Sequence, residues 1–346
     1  MKTTMIALDL AKRVFQAHWV QECTGEIARE KLKRSQVLRF FANRAPCVVA
    51  MEACSSAHYW GRELVKLGHQ VRLIAPQFVR PFVKSNKTDA ADAEAIWEAA
   101  QRPGMRYVAI KSEEQQALLG LHRLREARVR GRVQLVNQLY GLMGEFGVAL
   151  PTGWKLALRK AAELLSEVEG CVVPAMLREA LLQHIEQIRG LIEQAKQLER
   201  QIAACERGSE ACRRLAQIPG VGVLTATAAV ATMGEPNAFK SGREFAAFLG
   251  LVPRQSGTGG RVQLLGISKR GDPYLRKLLI HGARSVLRWQ RPDRSCNRWL
   301  CGLLSRRPVN VVAVALANKM ARTIWALLAH GREYQAGYAR AAAASA

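Results

Sequence analysis

Four carboxylates in the first hundred residues have the types and positions that metal-dependent phosphate chemistry needs. Asp9 closes the apolar run Met5-Ile6-Ala7-Leu8, and Glu52 closes Cys47-Val48-Val49-Ala50-Met51. Asp89 and Asp92 open an Ala-rich stretch that follows Ser85-Asn86-Lys87-Thr88. Thr88 is of the N-cap type, with Asp89 in the first turn, where the helix dipole favours a carboxylate. Residues three apart share a helix face, so Asp89 and Asp92 are within reach of each other. Like charges that close repel unless a cation sits between them. Each acid alone also has an ordinary reading, as a solvated cap or a capped strand end. Their company decides: a buried carboxylate is costly, and four converging ones call for a divalent metal. Mg²⁺, hard and oxygen-seeking, suits them, and a metal pair would clamp both oxygens of a phosphoryl displacement.

The elements that must position these acids are legible in outline. Residues 5–10, 14–20, 47–51 and 71–74 read as strands, with helical patterns over 33–44 and 55–67 and a helix beginning near 88. Strands alternating with helices predict a mixed α/β sheet, and in open α/β sheets ligands gather at the carboxyl ends of strands. Residues 113–146 predict a long basic helix. A second, over 176–206, places Leu181, Ile188, Ala195 and Ile202 at seven-residue intervals, with Ile185 and Ile192 at a second heptad position. That seam is coiled-coil-like and fits either a helical hairpin within one chain or an oligomer interface.

Further along, Ile218-Pro219-Gly220-Val221-Gly222 precedes a helix over 224–233. Such a turn either offers backbone N–H groups to a DNA phosphate, as in helix-hairpin-helix modules, or is simply packed. Residues 250–261 are dense in glycine, with Ser256, Thr258 and the flanking Arg254 and Arg261. This composition describes a flexible loop, and equally one that brings a serine hydroxyl to a phosphate. Lys269, Arg270, Arg276 and Lys277 form a candidate phosphate-binding face, and a last helix over 309–329 carries Asn318, Lys319 and Arg322.

The charge balance points the same way. Among 346 residues, 52 Lys and Arg face 28 Asp and Glu, a net +24. Such an excess is the footprint of a polyanionic partner, most often nucleic acid. It is concentrated in residues 250–346, with 17 Lys and Arg against three acids. No run approaches the length of an apolar membrane span and no signal-peptide core precedes the first strand. The eight cysteines include no CxxC pair, which argues against a zinc site and for reduced thiols. A soluble cytoplasmic protein associated with the nucleoid is expected.

In order and spacing, the stretches ALDLAK, MEACSSAHYW, NKTDAADAEA, IPGVG, FLGLVPRQSGTGG and GISKRGDPYLRKLLIHGAR resemble the transposases of the insertion sequence 110 family, in particular its insertion sequence 1111 branch. The resemblance runs from about residue 4 to 330. It implies a RuvC-like, RNase H-type α/β domain with an Asp-Glu-Asp-Asp tetrad over residues 1–110. Long helices with coiled-coil character follow over 111–210, and then a mainly α transposase domain with a helix-hairpin-helix-like segment over 211–346. It further implies that Asp9, Glu52, Asp89 and Asp92 bind Mg²⁺, that a serine of the C-terminal domain attacks the DNA backbone, and that a non-coding bridge RNA pairs with donor and target DNA. Working assemblies in the family look like dimers or tetramers in which the acidic domain of one subunit meets the serine domain of another. Many relatives carry the serine directly before a glycine, nine residues ahead of the position of Ile267. Ungapped counting puts Thr258 there, whereas Ser256 has the Ser-Gly pair, so Ser256 is the expected nucleophile and Thr258 the alternate. Two other readings compete: a RuvC-like nuclease that cuts branched DNA with no covalent intermediate, and a non-catalytic nucleic-acid binder. The serine-bearing block disfavours the first and the four retained acids the second.

Overall fold

The computed structural model describes residues 4–21, 23–83, 88–167, 170–289 and 298–335. The Ser85-Asn86-Lys87 start of the third acidic stretch lies outside the described residues. The chain divides into two units, Met1–Glu114 and Gln115–Ala346.

The first unit is a six-stranded mixed sheet with helices against it. Its elements are β1 (Met5–Asp9), β2 (Val14–Val20), β3 (Ile27–Lys33), α1 (Val37–Ala42), β4 (Val48–Glu52), α2 (Ala57–Lys66), β5 (Gln70–Ile74), α3 (Pro76–Val79), α4 (Asp89–Gln101) and β6 (Tyr107–Val108). The strand order is β3-β2-β1-β4-β5-β6. The central pairs β1–β4 and β4–β5 are parallel, while β2, β3 and β6 run antiparallel to their neighbours. Side chains alternate across the sheet, and the two faces differ. Ile6, Leu8, Val49 and Met51 point into a core with Phe15, Phe41 and Trp60. Ala7 and Ala50 point to the opposite face, where their small side chains admit α4 through Ala95, Ile96 and Ala99.

The edge strand β3 has no counterpart in the sequence reading, which passes from a turn directly to a helix at residue 33. Only Leu32 of its seven residues is buried, so it lacks the apolar alternation that betrays a strand. Its Arg29, Glu30, Lys31 and Lys33 are the charges that keep an open edge from pairing with another chain.

The second unit is helical apart from one hairpin. It contains α5 (Glu113–Gly144, whose first two residues precede the boundary), α6 (Trp154–Ser166), α7 (Ala175–Arg207), α8 (Glu210–Ala216), α9 (Val223–Met233) and α10 (Gly242–Phe248). The hairpin strands β7 (Pro253–Thr258) and β8 (Arg261–Ile267) follow, then α11 (Pro273–Trp289), α12 (Arg298–Leu304) and α13 (Val309–His330). On α7, Leu181, Ile185 and Ile188 are buried with Val136, Leu139 and Met143 of α5 and Leu158, Ala161 and Leu165 of α6. Ala195 and Ile202 are buried as well. Of the two readings of the seam, the structure shows the one within the chain.

The helices α8 to α13 share a second core, into which α13 sends Val312, Ala313, Leu316, Ala317, Met320, Ala321 and Ile324. By length and composition alone α13 is apolar enough to cross a membrane. Its apolar face is accounted for by this core, and it carries Lys319 and Arg322. Cys301 is disulfide-bonded, so the expectation of thiols throughout fails at that residue.

Two close backbone contacts hold this core together. Gly220, with φ +84°, lies so close to α11 that a Cβ on it would stand 2.6 Å from the Gly282 carbonyl oxygen, and one on Gly282 would stand 2.0 Å from that of Gly220. Ile218 and Val221 beside it are buried. The Ile-Pro-Gly-Val-Gly turn is therefore packed against α11.

Candidate active site

Strand alternation decides where the acids point. Asp9 lies two residues beyond Ala7, and Glu52 two beyond Ala50, so both carboxylates fall on the face that α4 covers. The parallel register pairs Leu8 with Met51, which puts Asp9 and Glu52 side by side at the C-terminal ends of neighbouring strands. The first turn of α4 supplies Asp89 and Asp92. That turn begins where predicted: the Thr88 hydroxyl accepts from the Ala91 amide at 3.2 Å, and the Asp92 amide donates to the Thr88 carbonyl at 2.9 Å.

The four acids share one electrostatic field. Burial, then the charges of Asp92, Asp89 and Glu52, push the Asp9 carboxyl up to about 6, against a lesser pull from the Leu10 amide. Cys54, two residues past Glu52, feels the same field: burial, Glu52 and Asp9 raise its thiol to about 11. Cys54 and Gln16, whose register partner is Asp9, border the cluster and were passed over by the sequence reading. Period-two counting along β2 was the available signal for Gln16.

These donors fit a hard divalent cation. All four are carboxylates, and burial together with repulsion drives Asp9 towards its neutral form, which a cation among them would reverse. Among the described residues no group of three or more His, Cys, Asp or Glu stands close enough together to hold a metal ion, so the acids share a field without being gathered around one point.

The other sequence-predicted residues lie in the second unit. Residues 253–267 are not a loop but the antiparallel hairpin β7–β8, turned through Gly259 (φ +56°) and Gly260 (φ +80°). Positive φ at both turn positions matches the right-handed twist of the strands, so the glycines read as flexibility are turn residues. Ser256 pairs with Gln263 and Thr258 with Arg261, so the two candidate hydroxyls lie on one face, with Arg261 beside Thr258. Every residue of the hairpin except Ile267 is exposed. Val262 and Leu264 occupy the other face at 68% and 63% exposure.

The basic residues divide into two groups. Arg254, Arg261, Lys269 and Arg270 are exposed on the arm and just beyond it. Arg276 and Lys277 have partners within the protein. Arg276 Nη1 donates to the carbonyls of Leu249 (2.8 Å) and Arg270 (3.0 Å), and Lys277 pairs with Glu126 of α5. Asp272 caps α11, accepting from the amides of Tyr274 (2.8 Å) and Leu275 (3.1 Å).

Residues 6–147 match the family model of DEDD-type IS110 transposases, and residues 212–296 match that of the IS116/IS110/IS902 transposase family. The α/β sheet with its tetrad and the helical C-terminal region thus define a transposase with a DEDD nuclease-like domain. A probable family 20 transposase of Pseudomonas aeruginosa is 52% identical over 97% of this chain and 100% of its own length. The transposase for insertion sequence element IS1328 of Yersinia enterocolitica is 43% identical over 95% of this chain and 97% of its own. That for IS1111A of Coxiella burnetii is 39% identical over 96% and 92%. The chain belongs to the IS110 family of insertion-sequence transposases, with close relatives in the IS1111 group.

Proposed function

We propose that this transposase moves its insertion sequence by site-specific recombination, cutting DNA with a serine hydroxyl under the control of the acidic tetrad. The observation that carries the reading is the setting of Asp9 at the end of a buried strand, where burial and then the charges of Asp92, Asp89 and Glu52 lift its carboxyl to about 6. Proteins keep such repulsion where a cation and a phosphate are to be handled. Asp9, Glu52, Asp89 and Asp92 would hold Mg²⁺, and the chemistry it supplies when bound is neutralisation of the charge that builds on the phosphate oxygens.

Ser256 is the nucleophile in this reading, with Thr258 as its alternate on the same face. Its Oγ–P bond forms as the phosphorus bond to the leaving deoxyribose oxygen breaks. The serine proton is lost to a base or solvent, and the leaving oxygen takes up a proton. The phosphoserine conserves the phosphodiester, so attack by a new strand end reverses the step and frees the hydroxyl without an external energy source. The exposed Arg254, Arg261, Lys269 and Arg270 steady the backbone of the DNA in this reading, and a bridge RNA from the element's flanking non-coding DNA selects the sites. The family resemblance supports a dimer or tetramer, in the cytoplasm at the nucleoid, in which acids of one subunit act with the serine of another.

The test uses purified protein, Mg²⁺, that RNA and end-labelled donor DNA, resolved on a denaturing gel. Label on a peptide containing Ser256 is expected, and label on Thr258 moves the nucleophile while keeping the chemistry. Metal-dependent cutting with no protein-bound label overturns the proposal in favour of a RuvC-like nuclease acting on branched DNA.

A further inference from the structure

The hairpin that carries Ser256 is exposed along its length, yet its base is among the tightest places in the molecule. The chain enters through Phe248-Leu249-Gly250 and returns through Lys269-Arg270-Gly271, and the two segments cross in contact. A Cβ on Gly250 (φ +71°) would lie 2.2 Å from the Arg270 carbonyl oxygen, and one on Gly271 (φ +76°) would lie 1.7 Å from that of Phe248. Lys269 is held at φ +55°, a conformation that costs a non-glycine residue energy and persists only where the surroundings impose it. Two backbone hydrogen bonds close the crossing: the Lys269 N–H donates to the Gly250 carbonyl at 3.1 Å and the Ser268 N–H to that of Val252 at 2.8 Å. Two side chains then tie it to the helical core. One nitrogen of Arg276 spans both strands of the crossing through Leu249 and Arg270, and Asn318 of α13 donates to the Leu251 carbonyl at 3.1 Å.

We infer that Arg276, seconded by Asn318, is a positioning residue that fixes the angle at which the Ser256 arm leaves the core, and not a phosphate ligand. The inference rests on Ser256 being the nucleophile. The reasoning is one of leverage. A two-stranded hairpin with no covering layer has little stiffness of its own, so its direction is set at the base. A guanidinium bridging the incoming and outgoing strands resists their sliding past each other, and any slip there is magnified at Ser256. A misplacement of about 1 Å in a reacting group costs on the order of 100-fold in rate.

The two roles for Arg276 leave different traces. Loss of a phosphate contact weakens binding to any DNA and flattens the salt dependence of affinity by about one phosphate. Loss of a positioning contact slows the covalent step and leaves both untouched. The full-length protein would be compared with Arg276→Ala, Arg276→Lys, Asn318→Ala and Ser256→Ala. Two readouts are needed: affinity for a labelled duplex of the element's end across a salt series, and the rate of protein–DNA adduct formation at saturating DNA.

We expect Arg276→Ala to lose about 100-fold in adduct rate with unchanged affinity and salt slope, partly restored in Arg276→Lys or by added guanidinium ion. Asn318→Ala should follow in the same direction with a smaller loss, which keeps the test decisive if Arg276→Ala does not fold. A reduced salt slope in Arg276→Ala with a normal adduct rate at saturation overturns the inference, as does a normal adduct rate in folded Asn318→Ala and Arg276→Ala together. Persistence of the adduct in Ser256→Ala would instead bring down the nucleophile assignment, a separate result.

Discussion

Each unit of this transposase encloses a cluster of titratable side chains, and the two are built on opposite principles. In the α/β unit four carboxylates share a field with like charge as neighbour. In the helical unit His122 is buried and its ring nitrogens lie 3.0 Å from Tyr274 Oη and 3.0 Å from Thr227 Oγ1. The Thr227 hydroxyl donates a hydrogen bond to the Val223 carbonyl at 2.7 Å, so a neutral imidazole that accepts from Tyr274 and donates to Thr227 satisfies the chain. Burial and the nearby Arg125 push His122 down to about 4. One turn along α5, burial alone would raise Glu126, but Lys277 and Arg130 hold it below the usual range. A polar cluster with every partner supplied specifies packing; one that leaves repulsion standing keeps a place for something else.

The comparison breaks most sharply on activity. Asp9→Asn, Glu52→Gln and Asp92→Asn should each lower strand cleavage by about 1,000-fold or more, comparable to losing other charge-stabilising groups, while duplex affinity in a filter-binding assay stays near that of the parent. Cleavage that survives all three would remove the acids from the chemistry. Thr227→Val, by contrast, disturbs the satisfied cluster and should leave the adduct rate per folded molecule unchanged.

On stability the two clusters should move in opposite directions. His122→Ala opens a cavity and strands two hydroxyls, a loss of about 3 kcal/mol in urea unfolding. Asp9→Asn, measured without divalent ions at pH 8, should instead stabilise the protein by about 1 kcal/mol, since a raised folded pKa means that the fold favours the neutral acid and solvent screens part of the effect at this half-buried position. A destabilised Asp9→Asn would mean that the field at Asp9 is already compensated.

Acid titration sharpens this further. Because the Asp9 pKa is raised from 3.8 to about 6 in the fold, its contribution is most favourable below 3.8 and is lost as pH rises through 6. His122 is depressed from 6.5 to about 4, so its contribution is complete above 6.5 and lost as pH falls towards 4. Amide exchange read separately in β1 and in α9 should therefore show stability slopes of opposite sign between pH 4 and 6, with the Asp9 slope the smaller because solvent screens a half-buried carboxylate. The smallest effect is at a cap: Thr88→Ala should cost about 1 kcal/mol, seen as faster exchange confined to the first turn of α4.

The acids could be found from sequence because each sits at a boundary that local chemistry marks. Asp9 and Glu52 end apolar runs, and Thr88 announces a helix. Their convergence on one face follows from period-two counting through Ala7 and Ala50. The arm was missed for a comparable reason. Gly257, Gly259 and Gly260 were counted as composition, whereas Gly259-Gly260 between the pairs Thr258–Arg261 and Ser256–Gln263 is a hairpin turn. Arg276 was beyond reach: its partners are carbonyl oxygens 27 and six residues away, and no side-chain pattern records a carbonyl. The pairing of Lys277 was out of reach likewise, since its partner Glu126 lies 151 residues distant.

The glycine contacts carry a genetic consequence. At Gly220, Gly250, Gly271 and Gly282 the missing side chain is occupied by another stretch of backbone, so even the mildest missense change there has nowhere to put a methyl group. Copies of a mobile element that has ceased to move accumulate substitutions freely, and these four codons are where a single base change should silence a copy while its acids and serine remain intact. A genomic copy can thus carry every reactive group and still be a fossil, recognisable by what has grown at a position where only hydrogen fits.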